Sequence, residues 1–235
     1  MNLQVLATVL LGGVAALDAV PVAQVLLSQP LVTATLLGAV WGQWHVALEV
    51  GVVLQILAAS TLPVGARTPE DFAVGGVVGT GVALATAARL PYAMAQEAAA
   101  LLGVFAGLLT ATFGVALIKW QRRRNEGLSR WCEAAVRAGD EGAVGGAQRA
   151  GVVLAFAVGV GYCAVCLALG VGVLGPLAAR QSLRLARAWT LAQPLWLGLG
   201  LAQLLLAFVR QRLTRAAVFG AALLVAWILL VMGGR

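Results

Sequence analysis

Charge is what this sequence has least of. Aspartate and glutamate together number 9 in 235 residues, and charged residues of both signs make up 11%, against about 25% in soluble domains. A soluble fold this apolar would have no polar surface left to face water. One histidine, His45, and three scattered cysteines exclude a disulfide framework and are too few for a metal centre. There is no phosphate-binding glycine loop, no nucleophile with a base in reach and no pair of carboxylates at catalytic spacing. Neither covalent catalysis nor a cofactor is therefore expected. Strand-like alternation at outer-membrane spacing is missing, which argues against a barrel. The opening MNLQVLATVLLGG has an apolar run but no basic segment before it, so a cleaved signal peptide is not expected.

What the sequence does contain is apolar surface and glycine. Hydrophobic residues reach 61%, with a mean hydropathy of +0.95. The 29 glycines are roughly 12% of the chain, against an ordinary ~7%. Small residues let membrane helices approach closely, because in lipid packing replaces the hydrophobic effect as the driving force. The fold class expected is all-α: a polytopic transmembrane helical bundle, forming one permease-like domain over residues 1–235. The net charge of +7 does not point to nucleic acid. The basic residues collect in short segments between apolar runs, as topology signals do.

A spanning helix needs about 20 apolar residues, and the clear candidates are 72–92, 96–119, 150–175, 190–209 and 216–233. The first 62 residues are apolar too, but interrupted. Residues 3–28 carry Asp18 and Pro21 near their middle. Residues 30–62 are too long for one straight span and are broken by Gly42, Gln43, Trp44 and His45. Both stretches read as broken or hairpin helices, the usual pointer to a transporter's binding site; the alternative for residues 42–45 is an ordinary short turn between two spans. The segment 120–149 carries Arg122, Arg123, Arg124, Arg130, Arg137 and Arg149, with Lys119 at its edge, which places it in the cytoplasm. Arg210, Arg212 and Arg215 mark a second cytoplasmic turn. Arg180, Arg184 and Arg187 then fall on the opposite side, against the rule, and suit an interfacial or re-entrant helix. Within 120–149, Leu128, Trp131, Cys132, Ala135 and Val136 recur at helical spacing. This amphipathic helix either lies on the membrane surface against anionic lipid, the favoured reading, or docks a soluble partner.

An ionisable residue within a span is a functional candidate by default, and Asp18 is the foremost. It is read either as a cap for the backbone groups freed at the Pro21 break or as a direct solute contact. Asp18→Asn should keep the fold while weakening solute binding. His45 and Glu49 lie four residues apart on one helix face and are able to pair. Cys163 and Cys166 lie inside an apolar span with no basic neighbour to lower a thiol pKa, so they read as small apolar filling of a helix interface. Gly103 and Gly107 match the small-xxx-small pattern, though so glycine-rich a chain produces such matches by chance.

The N-terminal region LDAVPVAQVLLSQPLVTATLLGAVWGQWHVALEVGVVLQILAASTLPVGARTPED resembles enzyme IIC, the membrane permease component of the mannose/sorbose family of the bacterial sugar phosphotransferase system. The matching positions are Leu17 and Asp18, Pro30 and Leu31, Gly38, Gly42, Gly51, Leu54 and Gln55, Val64 and Gly65, and the turn of Pro69, Glu70 and Asp71. A weaker second match begins at Pro176. Where the family has charges, this chain has amides: Gln55 for a glutamate, Gln43 for an aspartate, Gln29 for a basic residue. Near the second match, Ser182 and Arg187 stand for glycines.

The resemblance implies a multi-pass protein of the bacterial inner membrane that is not itself an enzyme. It implies a hexose-type sugar bound within the membrane, with Asp18, Gln43, Gln55 and Asp71 as the substrate-binding set. It implies a membrane partner of the IID type, and soluble phosphocarriers IIA and IIB that phosphorylate the arriving sugar. Membrane lipid is a further partner, nucleic acid is not, and a homo-oligomer is compatible with the sequence. The alternative reading is a degenerate homologue that no longer transports and instead anchors or senses the soluble phosphotransferase components.

Overall fold

The computed structural model describes residues 3–19, 22, 24–59, 68–90, 93–209 and 211–233. Among them all regular structure is helical: α1 (Leu3–Ala19), α2 (Pro30–Trp41), α3 (Trp44–Ala59), α4 (Phe72–Ala87), α5 (Ala93–Arg137), α6 (Ala143–Phe208) and α7 (Arg212–Gly233). α5 and α6 are each long and apolar enough to cross a bilayer, and α1 to α4 are shorter apolar helices. At 1.5 Å per residue, the 12-residue α2 spans about 18 Å and α4 about 24 Å, less than the ~30 Å hydrocarbon core.

The bundle is built around α4. Every residue of this helix from Ala73 to Ala87 is buried, and α1, α2, α3, α5 and α6 all pack on it. A helix apolar all round suits a protein interior or lipid alike, and the run FAVGGVVGTGVALATA allows the enclosure seen here by being nearly free of bulk. A Cβ placed on Gly79 would lie 2.7 Å from the Gly103 carbonyl oxygen, and one on Gly75 would lie 2.7 Å from that of Gly107. The glycine pair of α5 is thus a true helix contact and not a chance match.

Local signals explain the element ends. Pro30 opens α2, where its missing N–H costs nothing. Gly42 closes α2 in the left-handed conformation at φ 66°, and Gln43 N–H reaches back to Gly38 O at 3.1 Å. This is a Schellman ending, and α3 starts at once, so residues 30–59 form a helical hairpin broken at Gly42 and Gln43. Asp71 caps α4, its carboxylate accepting Val74 N–H at 3.2 Å. Pro21, Val64, Gly65 and Arg210 lie outside the described residues.

Two sequence expectations change. The segment 120–149 holds no separate surface helix: α5 runs unbroken to Arg137, turns through Gly139 at φ 90°, and returns as α6 from Ala143. The result is a helical hairpin projecting from the bundle. The apolar stripe of Leu128, Cys132 and Val136 faces Val144, Ala147 and Val152 of α6, which is why the segment is amphipathic. The second change concerns 150–175 and 190–209. Both belong to α6, which bends at the non-helical Gln181 (φ −125°, ψ 22°). Before the bend, Gly159 meets Ala16 of α1 and Gly170 meets Val82 of α4. After it, Gly200 packs on Ile56 of α3. The chain therefore doubles back, and exposed Arg180, Arg184 and Arg187 surround the bend at the end remote from the hairpin.

Candidate functional site

The break after α1 is organised by one carboxylate. Asp18, 4% exposed in the last turn of α1, accepts Val25 N–H through Oδ1 and Ser28 N–H, at 2.7 Å, through Oδ2. A charge this buried persists only with strong hydrogen bonds of this kind. It folds residues 24–29 into a compact strap in which two non-glycine residues, Gln24 (φ 54°) and Leu26 (φ 73°), are left-handed. Such backbone costs roughly 1–3 kcal/mol per residue and clusters at functional segments.

The strap leads directly into a second polar junction. Leu31 N–H, one of the orphan donors at the start of α2, is accepted by Gln55 Oε1 of α3 at 3.1 Å. The same amide donates through Nε2 to Gln29 Oε1 at 2.8 Å. Asp18, Ser28, Gln29 and Gln55 thus form a continuous polar run joining α1, the strap, α2 and α3. Close packing holds it in place: a Cβ on Gly76 of α4 would lie 2.9 Å from Pro30, and one on Gly51 of α3 would lie 2.4 Å from the Ala34 Cβ. Amides offer donors and acceptors on one plane, the equipment for reading sugar hydroxyls. Gln29 is the residue missed as a contact when the sequence is read alone. Its signal is its position immediately before the proline that starts a helix.

The other two expected residues lie elsewhere. Asp71 is on the far side of the last turns of α1. Besides capping α4, it donates its own N–H to Ala111 O at 2.9 Å, and Gly114 approaches so closely that a Cβ there would lie 2.6 Å from the Asp71 Cβ. With Gln121, Arg122, Asn125 and Tyr162 it lines a cavity of about 100 Å³. That is space for a few waters at ~30 Å³ each, not for a hexose in this conformation. Gln43 sits at the opposite end of the α2–α3 hairpin, about 18 Å of helix away from Gln29. Its Oε1 is buried and has no hydrogen-bond partner among the described residues. At that end His45 Nδ1 stands 3.8 Å from Glu49 Oε1, as their spacing predicts.

Cys163 is structural. It is fully buried against Gly12, where a Cβ would lie 2.6 Å from its sulfur. Among the described residues no group of three or more histidine, cysteine, aspartate or glutamate side chains is placed to hold a metal ion.

The family model described as the sorbose-specific IIC component of the phosphotransferase system matches residues 2–233. No curated protein sequence matches the chain. Among solved structures, one described only as a membrane protein superposes with a TM-score of 0.67 at 18% identity, covering 97% of this chain and 96% of the other. The mannose transporter ManYZ in complex with microcin E492 superposes with a TM-score of 0.57 at 17% identity, covering 97% and 95%. At these identities the likeness concerns the fold: a helical membrane bundle. The family match extends over nearly the whole chain, which belongs to the sorbose-specific IIC components of the phosphotransferase system, membrane permease components that leave sugar phosphorylation to others.

Proposed function

We propose that this chain carries a hexose-type sugar across the bacterial inner membrane, together with a IID-like membrane partner, and delivers it to the soluble phosphocarriers IIA and IIB on the side of the α5–α6 hairpin, the cytoplasm. The observation that carries this reading is the hydrogen-bonded run from Asp18 through Ser28 and Gln29 to Gln55, set at the broken helices of the N-terminal region. Asp18 acts as the strut. Both its oxygens hold the strap, so its carboxylate positions Gln29 and Gln55 for the sugar. Neutral amides orient hydroxyls by hydrogen-bond geometry alone, which suits a solute without charge. Gln43 and Asp71 belong to the same pathway in this reading, one at each end of the bundle, and not to one pocket.

The test is uptake of labelled hexoses into vesicles holding the chain with and without a matched IID component, with the soluble phosphocarriers supplied inside. Uptake that requires both membrane components and falls on Gln55→Ala is the expected result. No uptake of any hexose with the matched partner present would overturn the proposal and leave an anchoring role for the soluble phosphocarriers.

A further inference from the structure

The α5–α6 hairpin carries a feature that sugar translocation does not use. Between residues 125–137 of α5 and 144–152 of α6 runs an open groove of about 570 Å³. Its floor is apolar, formed by Leu128, Val136, Val144 and Val152, with Val136 and Val144 about half exposed at 48% and 58%. From Asn125 to Arg137 it is about 18 Å long, three turns of helix. Two antiparallel helices cannot close such a stripe alone, and a third amphipathic helix laid into the groove covers it.

The charges along the hairpin are sorted by height. Lys119, Arg122, Arg123 and Arg124 lie at its base, Arg149 stands beside the lower part of the groove, between the levels of Asn125 and Trp131, and Asp140 and Glu141 are at its tip. Between them Glu126 pairs with Arg130 and Glu133 with Arg137, each at 3.9 Å, so the middle is balanced. Three candidate occupants are separated by this pattern. Lipid does not reach the groove's outer end, because residues 120–137 continue α5 for about 27 Å past Lys119, several times the ~8 Å Debye length at physiological salt. A second copy anchored in the same membrane stands parallel and sets basic base against basic base. A helix with acidic residues toward the membrane meets the base with opposite charge.

We infer that the hairpin groove is a docking site for an amphipathic helix of an acidic soluble protein. The helix lays its apolar face on Leu128, Val136 and Val144, with its acidic end over the arginines at the base. This site is independent of the sugar-binding reading.

Cys132, a free cysteine in the groove, reports on occupancy. The full chain is placed in zwitterionic phosphatidylcholine nanodiscs, and maleimide alkylation of Cys132 is followed by peptide mapping. The probe is a synthetic helical peptide of about four turns with leucine at i, i+3, i+4 and i+7 and glutamates elsewhere; its lysine counterpart is the control. The acidic peptide should slow alkylation about tenfold, less so as salt rises, and the lysine peptide should not. Val136→Glu and Val144→Glu change exposed positions and leave helicity intact by circular dichroism; each should weaken protection by about tenfold or more. Arg123→Glu together with Arg149→Glu should weaken the acidic peptide and admit the lysine one. Equal protection by both peptides, protection by neither, or protection that survives Val136→Glu overturns the proposal. So does protection without peptide, whether it appears with phosphatidylglycerol nanodiscs, which marks lipid, or with two copies per disc, which marks self-association.

Discussion

Glycine has two unlike meanings in this molecule, depending on whether it stands in the bundle or in the hairpin. At the α4–α5 seam the backbones nearly touch: a Cβ on Gly103 would lie 2.6 Å from Gly79 O, and one on Gly107 would lie 2.9 Å from Gly75 O. In the hairpin, Gly127 and Gly145 have nothing within 4 Å of the same position. The bundle has no hydrophobic effect between its helices, since lipid tails are as apolar as leucine, so its cohesion depends on close approach. The hairpin leaves its stripe as an open groove between two helices, and there a glycine is only a missing side chain. Composition counts both kinds alike, and only their neighbours separate them.

The largest effect should come from breaking the seam. Gly79→Leu pushes a side chain into the Gly103 carbonyl and the Leu54 side chain, forcing α4 and α5 apart. Overpacking against backbone should cost about 3 kcal/mol, seen as a large fall in the melting temperature of the detergent-purified protein. Retention of the parent melting temperature would mean that α4 and α5 are not held at this distance.

The polar counterpart of the seam is Asp18, and its replacement should rank second. Asp18→Leu leaves the Val25 and Ser28 N–H groups without their acceptor, at about 1–3 kcal/mol for each unsatisfied group. Asp18→Asn, which the sequence alone expects to keep the fold, loses more than charge. Both oxygens accept backbone N–H groups, so one N–H must face the new amide nitrogen. Stability should therefore fall measurably, and sugar affinity about tenfold, the equivalent of ~1.4 kcal/mol. Calorimetry on the purified variant separates the two effects. Unchanged values for both would reduce Asp18 to a bystander.

Gln55 sharpens the comparison at smaller scale. Gln55→Ala removes the acceptor for Leu31 N–H and the partner of Gln29, at about 1 kcal/mol, with uptake lowered further than stability. Gln55→Glu should be milder, since a carboxylate still accepts from Leu31 and from a flipped Gln29 amide; uptake assays on the two variants give the order. At the bottom of the scale stands Gly127→Ala. With open space around it and an ordinary helical backbone, alanine should stabilise the hairpin by about 0.5–1 kcal/mol and leave uptake unchanged. A loss of stability there would erase the contrast with Gly79.

Much of the architecture is legible in residue order. The break at Gly42 and Gln43 and the pairing of His45 with Glu49 follow from local patterns, and local interactions set them. The grouping of the site residues is not legible. Gln43 and Gln55 stand on the same helical hairpin, yet only Gln55 meets the Asp18 strap, because an antiparallel pair places its turn and its open end a helix length apart. Asp71 immediately precedes α4, but which side of α1 it faces depends on Gly114 of α5 and Gly159 of α6.

The sequence by itself determined that this protein lives in a membrane and is all helical, because hydropathy and glycine content are sums along one chain, and its resemblance to enzyme IIC pointed to the sugar permeases. Tertiary structure alone decided which glycines are contacts, that Gln29 completes the polar run, and that the arginine-rich segment stands up as a hairpin with its groove open. Each of these depends on distances between residues far apart in order, here 155 positions between Thr8 and Cys163 and 26 between Gln29 and Gln55. A one-dimensional pattern does not encode such distances until the helices have packed.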